Sequence, residues 1–387
     1  MPTGRILVYS ASFGAGHIRA AEALIEAIRG QQPGIEIVHR DCMEEVSPVL
    51  NRLLQVTYIG MMRHLPRWWG ALYYGTAELS SRSLLQRAMN ALGRQTYLRQ
   101  IRELQPELII CSYPTVAGAV AELRRQRAVT APLVTVVTDY SIHKQWIHAG
   151  VDLYLVGNKE VRDGLTARGI KPERIRVTGI PVSRRFEQAL DRPAIVDRLG
   201  LRLELPTVLL MAGAQGVLAD FREICAFLAQ TSRPVQTLVV CGRNQQFYDA
   251  LGPIIDQARN PVIRFGFVQA VEELMTVADL MITKAGGLIV SEALTKQLPM
   301  VVFRPIAGQE AENTKFLTAI GAARSAPDLE QLRAIVHQLL EQPAELEQMR
   351  QAAAQALPGR AAEQAAALIL QLRAENRNEG NATKELR

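Results

Sequence analysis

A chain of 387 residues is long enough for two domains with sizeable cores. Its 48% hydrophobic and 21% charged residues are ordinary for a soluble enzyme, and no run of about 18 apolar residues is present, so no transmembrane helix is predicted. The net charge is +6, with the whole basic surplus in residues 1–180, and the scattered Cys42, Cys111, Cys225 and Cys241 form no C-x-x-C pair, which points to a reduced, cytoplasmic compartment and away from a structural zinc site.

The chain runs from Met1-Pro-Thr-Gly straight into a first strand, Arg5-Ile-Leu-Val-Tyr-Ser10, so no signal peptide is predicted. A glycine-rich loop follows, Ala11-Ser-Phe-Gly14-Ala-Gly16-His17, and then a helix over 20–29 with Ala21, Leu24, Ile25 and Ile28 on one face. Gly14-Ala-Gly16 begins like a dinucleotide fingerprint, but Arg19 stands where the third small residue belongs and Ala20 comes one later. Asp41, at the end of the next strand, keeps that reading open as an alternative. A histidine at a glycine-flanked helix start is placed to act as a base. The positive helix end favours the neutral ring that a base needs. The other reading of His17 is a surface loop histidine.

Residues 48–102 are helical by pattern and rich in large apolar side chains, including the pair Trp68 and Trp69. Their charges are almost all arginine, among them Arg63 and Arg67, with only Glu78 opposing. Arginine with paired aromatics and no long apolar run reads as an interfacial membrane surface, to which anionic lipids add about 1 kcal/mol per basic residue. The alternative is two ordinary helices with Trp and Leu packed inward. No nucleic-acid motif accompanies the patch, so no nucleic-acid partner is expected.

Strands over 107–111 and 133–138 come next. The second delivers Asp139-Tyr140-Ser-Ile-His143-Lys-Gln-Trp146-Ile-His148 at its carboxyl end, the kind of loop that carries function on a rigid sheet. A local hydrogen-bond cluster is the competing explanation. Strands over 152–156 and 175–177 complete a first domain. Gly179-Ile-Pro181-Val breaks the chain, and residues 184–200 form a polar helical linker.

A second domain opens with a strand over 206–211 and another glycine loop, Gly213-Ala214-Gln215-Gly216. Strands ending near Arg243 and at Phe267-Val268 follow. A strand over 280–282 then brings Lys284-Ala285-Gly286-Gly287 to a helix start, where backbone N–H groups and the positive helix end suit a diphosphate. Glu292, further into that helix, can accept from two vicinal hydroxyls such as those of a ribose. A tightened turn is the alternative use of Gly286-Gly287. The strand over 300–303 leads to Gly308-Gln309-Glu310 and Asn313. The expected fold class is α/β, with two doubly wound Rossmann-like domains and a cleft between them. Residues 1–180 form the first domain, 181–204 the linker and 205–373 the second, whose last helices can pack back on the first. Residues 374–387 are expected to be a disordered polar tail.

Together, Ser12-Phe-Gly-Ala-Gly-His17, Thr138-Asp-Tyr with His143-Lys-Gln-Trp-Ile-His148, Gly179-Ile-Pro-Val, Ile282-Thr-Lys-Ala-Gly-Gly, Ser291-Glu-Ala and Pro305-Ile-Ala-Gly-Gln-Glu with Asn313 form a specific set. On these motifs, from about Arg5 to Ala323, the chain resembles glycosyltransferase family 28, the diacylglycerol sugar transferases. These are the monogalactosyldiacylglycerol synthases and the processive diacylglycerol glucosyltransferases. It is more distantly similar to the N-acetylglucosaminyltransferase of peptidoglycan synthesis, which shares the architecture called GT-B. Lys284-Ala-Gly-Gly departs from the common Lys-Pro-Gly-Gly. Ser12 stands where plant galactolipid synthases have Asp, which weakens a claim for galactose.

The resemblance implies a UDP-glucose or UDP-galactose donor in the C-terminal domain and diacylglycerol as acceptor at the N-terminal domain. It implies an inverting transfer by a cytoplasmic protein bound peripherally to the inner face of the membrane, with anionic lipids as partners. On the physical reading, the diphosphate rests on Gly286-Gly287 and Gly213–Gly216, and Glu292 holds the ribose. Backbone at Phe267-Val268 reads the uracil, and Gln309, Glu310 and Asn313 take sugar hydroxyls. No D-x-D is present, so no metal cofactor is expected. Lys284, Arg243 and helix dipoles carry the leaving-group charge. His17 takes the acceptor proton, with Asp139 as the competing base. Gly14, Gly16, Tyr140, His143, Trp146 and His148 shape the acceptor side. The rival functions are a catalytically silent UDP-sugar-binding regulator at the membrane and a GT-B nucleotide-sugar epimerase.

Overall fold

The computed structural model describes residues 4–12, 15–46, 93–211 and 220–385. Of the expected site residues, Gly14, Arg63, Arg67, Trp68, Trp69, Gly213, Ala214, Gln215 and Gly216 lie outside the described residues. The chain divides into two compact units. One is Met1–Arg184 with Pro358–Arg387, and the other is Arg185–Leu357.

The first unit holds six strands: β1 (Arg5–Ser10), β2 (Glu36–Asp41), β3 (Leu108–Cys111), β4 (Leu133–Val136), β5 (Leu153–Val156) and β6 (Ile175–Val177). All pair in parallel, in the order β2-β1-β3-β4-β5-β6. β3, β4 and β5 are buried along their whole length. Parallel strands covered by helices on both faces read as unbroken apolar runs for this reason. Ile6 lies opposite Leu108, and Tyr9 opposite Cys111. β1 therefore has neighbours reached by connections running in opposite directions, and the crevice at such a reversal opens at the strand carboxyl ends.

The second unit repeats the plan with β7 (Thr207–Met211), β8 (Gln236–Val240), β9 (Val262–Phe265), β10 (Leu280–Thr283), β11 (Met300–Phe303) and β12 (Ala323–Ala326). Their order is β12-β11-β10-β7-β8-β9, again all parallel. The reversal lies between β7 and β10, with Leu280 opposite Val208. The linker region contains a 3₁₀ turn, Arg184–Phe186, and a short α-helix, Arg192–Arg198, which Asp191 caps by accepting from the Ala194 N–H at 3.1 Å.

The last helix, Ala361–Glu385, belongs to the first unit. Its Ala365, Ala366 and Ile369 pack with Ala21, Leu24, Ile25 and Ile28 of the helix Ala15–Gln31. Arg373 is buried there, paired with Glu107 at 2.7 Å and donating to Gln32 at 3.1 Å. The helix runs on to Glu385, through the stretch whose polar composition predicts a disordered tail. Arg377 lies 3.7 Å from Glu107, and Gln371 donates to Glu375 at 2.9 Å, so tertiary and helical contacts oppose the weak propensity.

Candidate active site

The helix after β1 begins at Ala15, earlier than its apolar periodicity indicates, so Gly16 and His17 occupy its first turn. This places His17 beside the carboxyl ends of β1 and β3, at the crevice of the first sheet. Two oxygens face its Nδ1: the Ser112 carbonyl at 2.8 Å and the Thr138 hydroxyl at 2.9 Å. A carbonyl can only accept, so Nδ1 carries the proton of the neutral ring and Nε2 carries the lone pair. Tyr113 meets the ring edge-on at 5.1 Å, and the Trp146 ring lies 6.5 Å away. Burial pulls the imidazole down to about 4, against the smaller upward effect of the Ser112 carbonyl, so the ring is neutral at ordinary pH. Ser112, Tyr113 and Thr138 were not singled out from the sequence as site residues. Thr138 stands in the Thr138-Asp-Tyr motif, but nothing local shows that these residues meet His17, 95 to 121 residues away.

The loop after β4 folds inward. Asp139, Tyr140, His143, Trp146 and His148 are all buried. Asp139 Oδ2 accepts from the Trp146 indole N–H at 3.2 Å, and His143 Nδ1 accepts from the Gln145 N–H at 3.2 Å, capping the turn Lys144–Trp146. Gly157 packs closely beside this loop: a Cβ there would come within 3.1 Å of the Tyr140 ring and would require the ring to shift slightly. Tyr154 fastens the loop end by accepting from the His148 N–H and donating to its carbonyl, each at 2.9 Å. Of these residues, Trp146 is the one whose ring comes near His17, at 6.5 Å.

Nε2 of His148 is buried without a hydrogen-bond partner among the described residues, and burial lowers this ring to about 4 as well. Between about 4 and the ordinary value of 6.5, the unfolded chain binds more protons than the folded one at His17 and His148. Stability should therefore rise with pH across that window and be lost as pH falls through it, by up to about 1.4 kcal/mol per pH unit for each ring. His148→Gln should flatten this fall in urea unfolding measured at pH 7, 6 and 5. Equal slopes in the two proteins would show that His148 does not contribute.

In the second unit, β10 ends at Thr283, and Lys284-Ala285-Gly286 leads into the helix Gly287–Thr295. Gly286 is the N-cap, with φ −69° and ψ 143° and no side-chain cap, so the first N–H groups of the helix are left for another partner. Neither backbone nor packing demands glycine here. Its φ is an ordinary one, and a Cβ would sit 3.6 Å from Ile289, a normal contact. Its small size keeps the space over the helix end clear, which the turn alone does not require.

Asn313 is fully buried and its amide donates to the Ala285 carbonyl at 2.9 Å. That bond ties the helix starting at Gln309 to the turn before Gly286. Gly308, with φ 106°, makes a turn that favours glycine, and Gln309 starts the next helix. Glu310 accepts from the Ile306 N–H at 3.2 Å. Burial raises its carboxyl group, partly offset by Lys284 nearby. Glu292 is buried on the Gly287–Thr295 helix. Arg243 lies over the Phe267 ring at 4.9 Å, and Phe267 is 42% exposed beside the half-buried Val268. The structure thus groups Lys284 with Glu310, Ala285 with Asn313, and Arg243 with Phe267.

Comparison with known proteins agrees with both halves. Residues 17–182 match the family described as Monogalactosyldiacylglycerol (MGDG) synthase, and residues 207–371 match the Glycosyltransferase family 28 C-terminal domain. A processive diacylglycerol beta-glucosyltransferase of Bacillus licheniformis is 30% identical over 346 residues, 89% of each chain. Its counterpart in Bacillus cytotoxicus is 31% identical over 349 residues, 90% of this chain and 88% of the relative. The chain belongs to glycosyltransferase family 28. Among solved structures, MurG of Acinetobacter baumannii superposes with a TM-score of 0.65 at 17% identity, over 95% of this chain and 99% of that one. The UDP-GlcNAc 2-epimerase of Neisseria meningitidis gives 0.57 at 12% identity, over 95% and 99%. At these identities the structures establish the fold, which is the two-Rossmann GT-B architecture of the family.

Proposed function

We propose that this family 28 member transfers a hexose from a UDP-sugar to the hydroxyl of diacylglycerol, making a membrane glycolipid. The observation that carries the reading is His17, neutral and fixed with its Nε2 lone pair available. A silent sugar-binding regulator needs no such base. The two bacillary relatives are named for glucose, and UDP-glucose is the proposed donor. UDP-glucose is α-linked and the product in those names is β, so the transfer inverts the anomeric carbon.

In this mechanism Nε2 of His17 takes the proton as the acceptor oxygen attacks the sugar carbon. The bond from that carbon to the phosphate oxygen breaks with oxocarbenium character, and UDP departs. The end of the Gly287–Thr295 helix, Lys284 and Arg243 meet the negative charge that develops on the diphosphate. Glu292 holds the ribose, backbone at Phe267-Val268 takes the uracil, and Gln309 with Glu310 takes sugar hydroxyls. No metal is assigned a role. Acceptor lies in the bilayer, yet among the described residues no helix is long and apolar enough to cross a membrane. The reading assigns peripheral binding to anionic lipid at the inner face to Arg63, Arg67, Trp68 and Trp69, on the arginine excess and paired tryptophans of that stretch.

The test is incubation with diacylglycerol in anionic vesicles and either UDP-glucose or UDP-galactose, with and without EDTA, followed by identification of the lipid product. Glucosyl-diacylglycerol, formed equally well with the chelator present, is expected. No glycolipid from either sugar would end this reading, and loss of product with EDTA would end its metal-free part.

A further inference from the structure

We propose that Thr138 is a positioning residue for the transfer: its hydroxyl and the Ser112 carbonyl together hold the His17 ring in the Nδ1–H form while Nε2 takes up the acceptor proton. The inference rests on His17 being the base.

Both oxygens lie within hydrogen-bond distance of one nitrogen, at 2.8 Å and 2.9 Å. Because Ser112 offers a carbonyl, Nδ1 must present a proton, and the Thr138 oxygen then shares that proton as a second acceptor. Each holder is itself held. Ser112 donates its amide to the Tyr9 carbonyl at 3.0 Å and its hydroxyl to the His17 carbonyl at 3.0 Å, tying the end of β3 to the helix that carries the ring. Thr138 is buried two residues past β4, where the Val137 amide donates to the Leu155 carbonyl at 2.9 Å. Two central strands thus deliver one acceptor each to the same ring atom.

The side chain next to Thr138 would be the obvious carboxylate partner for a histidine base, but Asp139 accepts from the Trp146 indole. Tyr113 approaches the ring by its edge, and Trp146 is at 6.5 Å. Nδ1 is therefore held by two neutral oxygens. A carboxylate there would favour the charged ring before substrate arrives. Neutral acceptors leave it unprotonated and still accept from Nδ1–H once Nε2 is charged. Burial is what lowers the ring's titration, and the Ser112 carbonyl opposes it only in part.

Two substitutions separate the hydroxyl from its methyl group. Thr138→Val keeps the shape and removes the acceptor, whereas Thr138→Ser keeps the acceptor and loses packing. With vesicle-borne diacylglycerol and saturating donor, Thr138→Val is expected to lower kcat about tenfold with donor KM unchanged, and Thr138→Ser to retain most of the rate. The opposite order, Val active and Ser impaired, would mean that Thr138 only fills space and would overturn the inference. His17→Ala is measured alongside. If it is inactive while Thr138→Val runs at the wild-type rate, this inference alone falls. If His17→Ala keeps its rate, the base assignment falls and takes this inference with it.

Discussion

Replacing His17 with alanine is expected to lower kcat by about 10²–10⁴-fold and to leave UDP binding nearly unchanged. The acceptor hydroxyl is a poor nucleophile while it holds its proton, and His17 is the base proposed to receive it. Its Nδ1 is occupied by the Ser112 carbonyl and the Thr138 hydroxyl, so the lone pair lies on Nε2. Its titration near 4 means the base is already neutral throughout the physiological range. The acid limb of kcat/KM should accordingly fall near pH 4. The donor residues belong to the other compact unit, Arg185–Leu357, which is why UDP affinity should survive. The comparison that decides the matter is single-turnover rate at saturating donor for His17→Ala and Asp139→Ala. If His17→Ala keeps more than about a tenth of the rate, short of the loss expected for a base, while Asp139→Ala is inactive, the base is Asp139.

Gly286→Asp should abolish useful donor binding without harming the fold. Aspartate is among the best N-cap residues, and its charge complements the positive helix end. The helix Gly287–Thr295 should gain a few tenths of a kcal/mol or stay level. The added Cβ meets only Ile289, at 3.6 Å. The same carboxylate would accept from the N–H groups proposed to hold the diphosphate and would repel its charge. Losing one or two charge-assisted hydrogen bonds, at about 1.5–3 kcal/mol each, lowers UDP affinity by roughly 10- to 10⁴-fold. Calorimetric titration with UDP and a thermal melt read the two effects separately. Wild-type UDP affinity in this variant would remove the diphosphate from the Gly286 turn. A melting temperature lowered by more than about 4 °C would contradict the cap geometry.

Much of this protein is legible from its sequence because the signals are local. The strands β3, β5 and β11 are apolar runs of four residues closed by Ser112, Gly157 and Arg304. A strand buried on both faces needs such a run wherever it lies in the chain. The two glycine turns and the histidine at a helix start are likewise contiguous, and their chemistry follows from backbone geometry within a few residues. The family resemblance drew on these same contiguous motifs.

Other features became visible only with the tertiary structure, because they depend on which distant segments become neighbours. Parallel strands are joined by long crossovers, so the orders β2-β1-β3 and β10-β7-β8, which define the crevices, have no periodic trace in the sequence. The partners of His17 sit at positions 112 and 138, and they reach it only because β3 pairs with β1 and β4 with β3, all running parallel. The Asn313 amide donates to the Ala285 carbonyl, 28 residues earlier in the chain, a contact that no local pattern announces. The loop from Asp139 to His148 has the polar side chains of an open binding loop and folds them inward. Likewise the polar stretch after Leu372 continues as helix, since Arg373 and Arg377 find Glu107 on the first unit. In each case local composition states what a residue can bond, and the packing of segments far apart in sequence decides what it does bond.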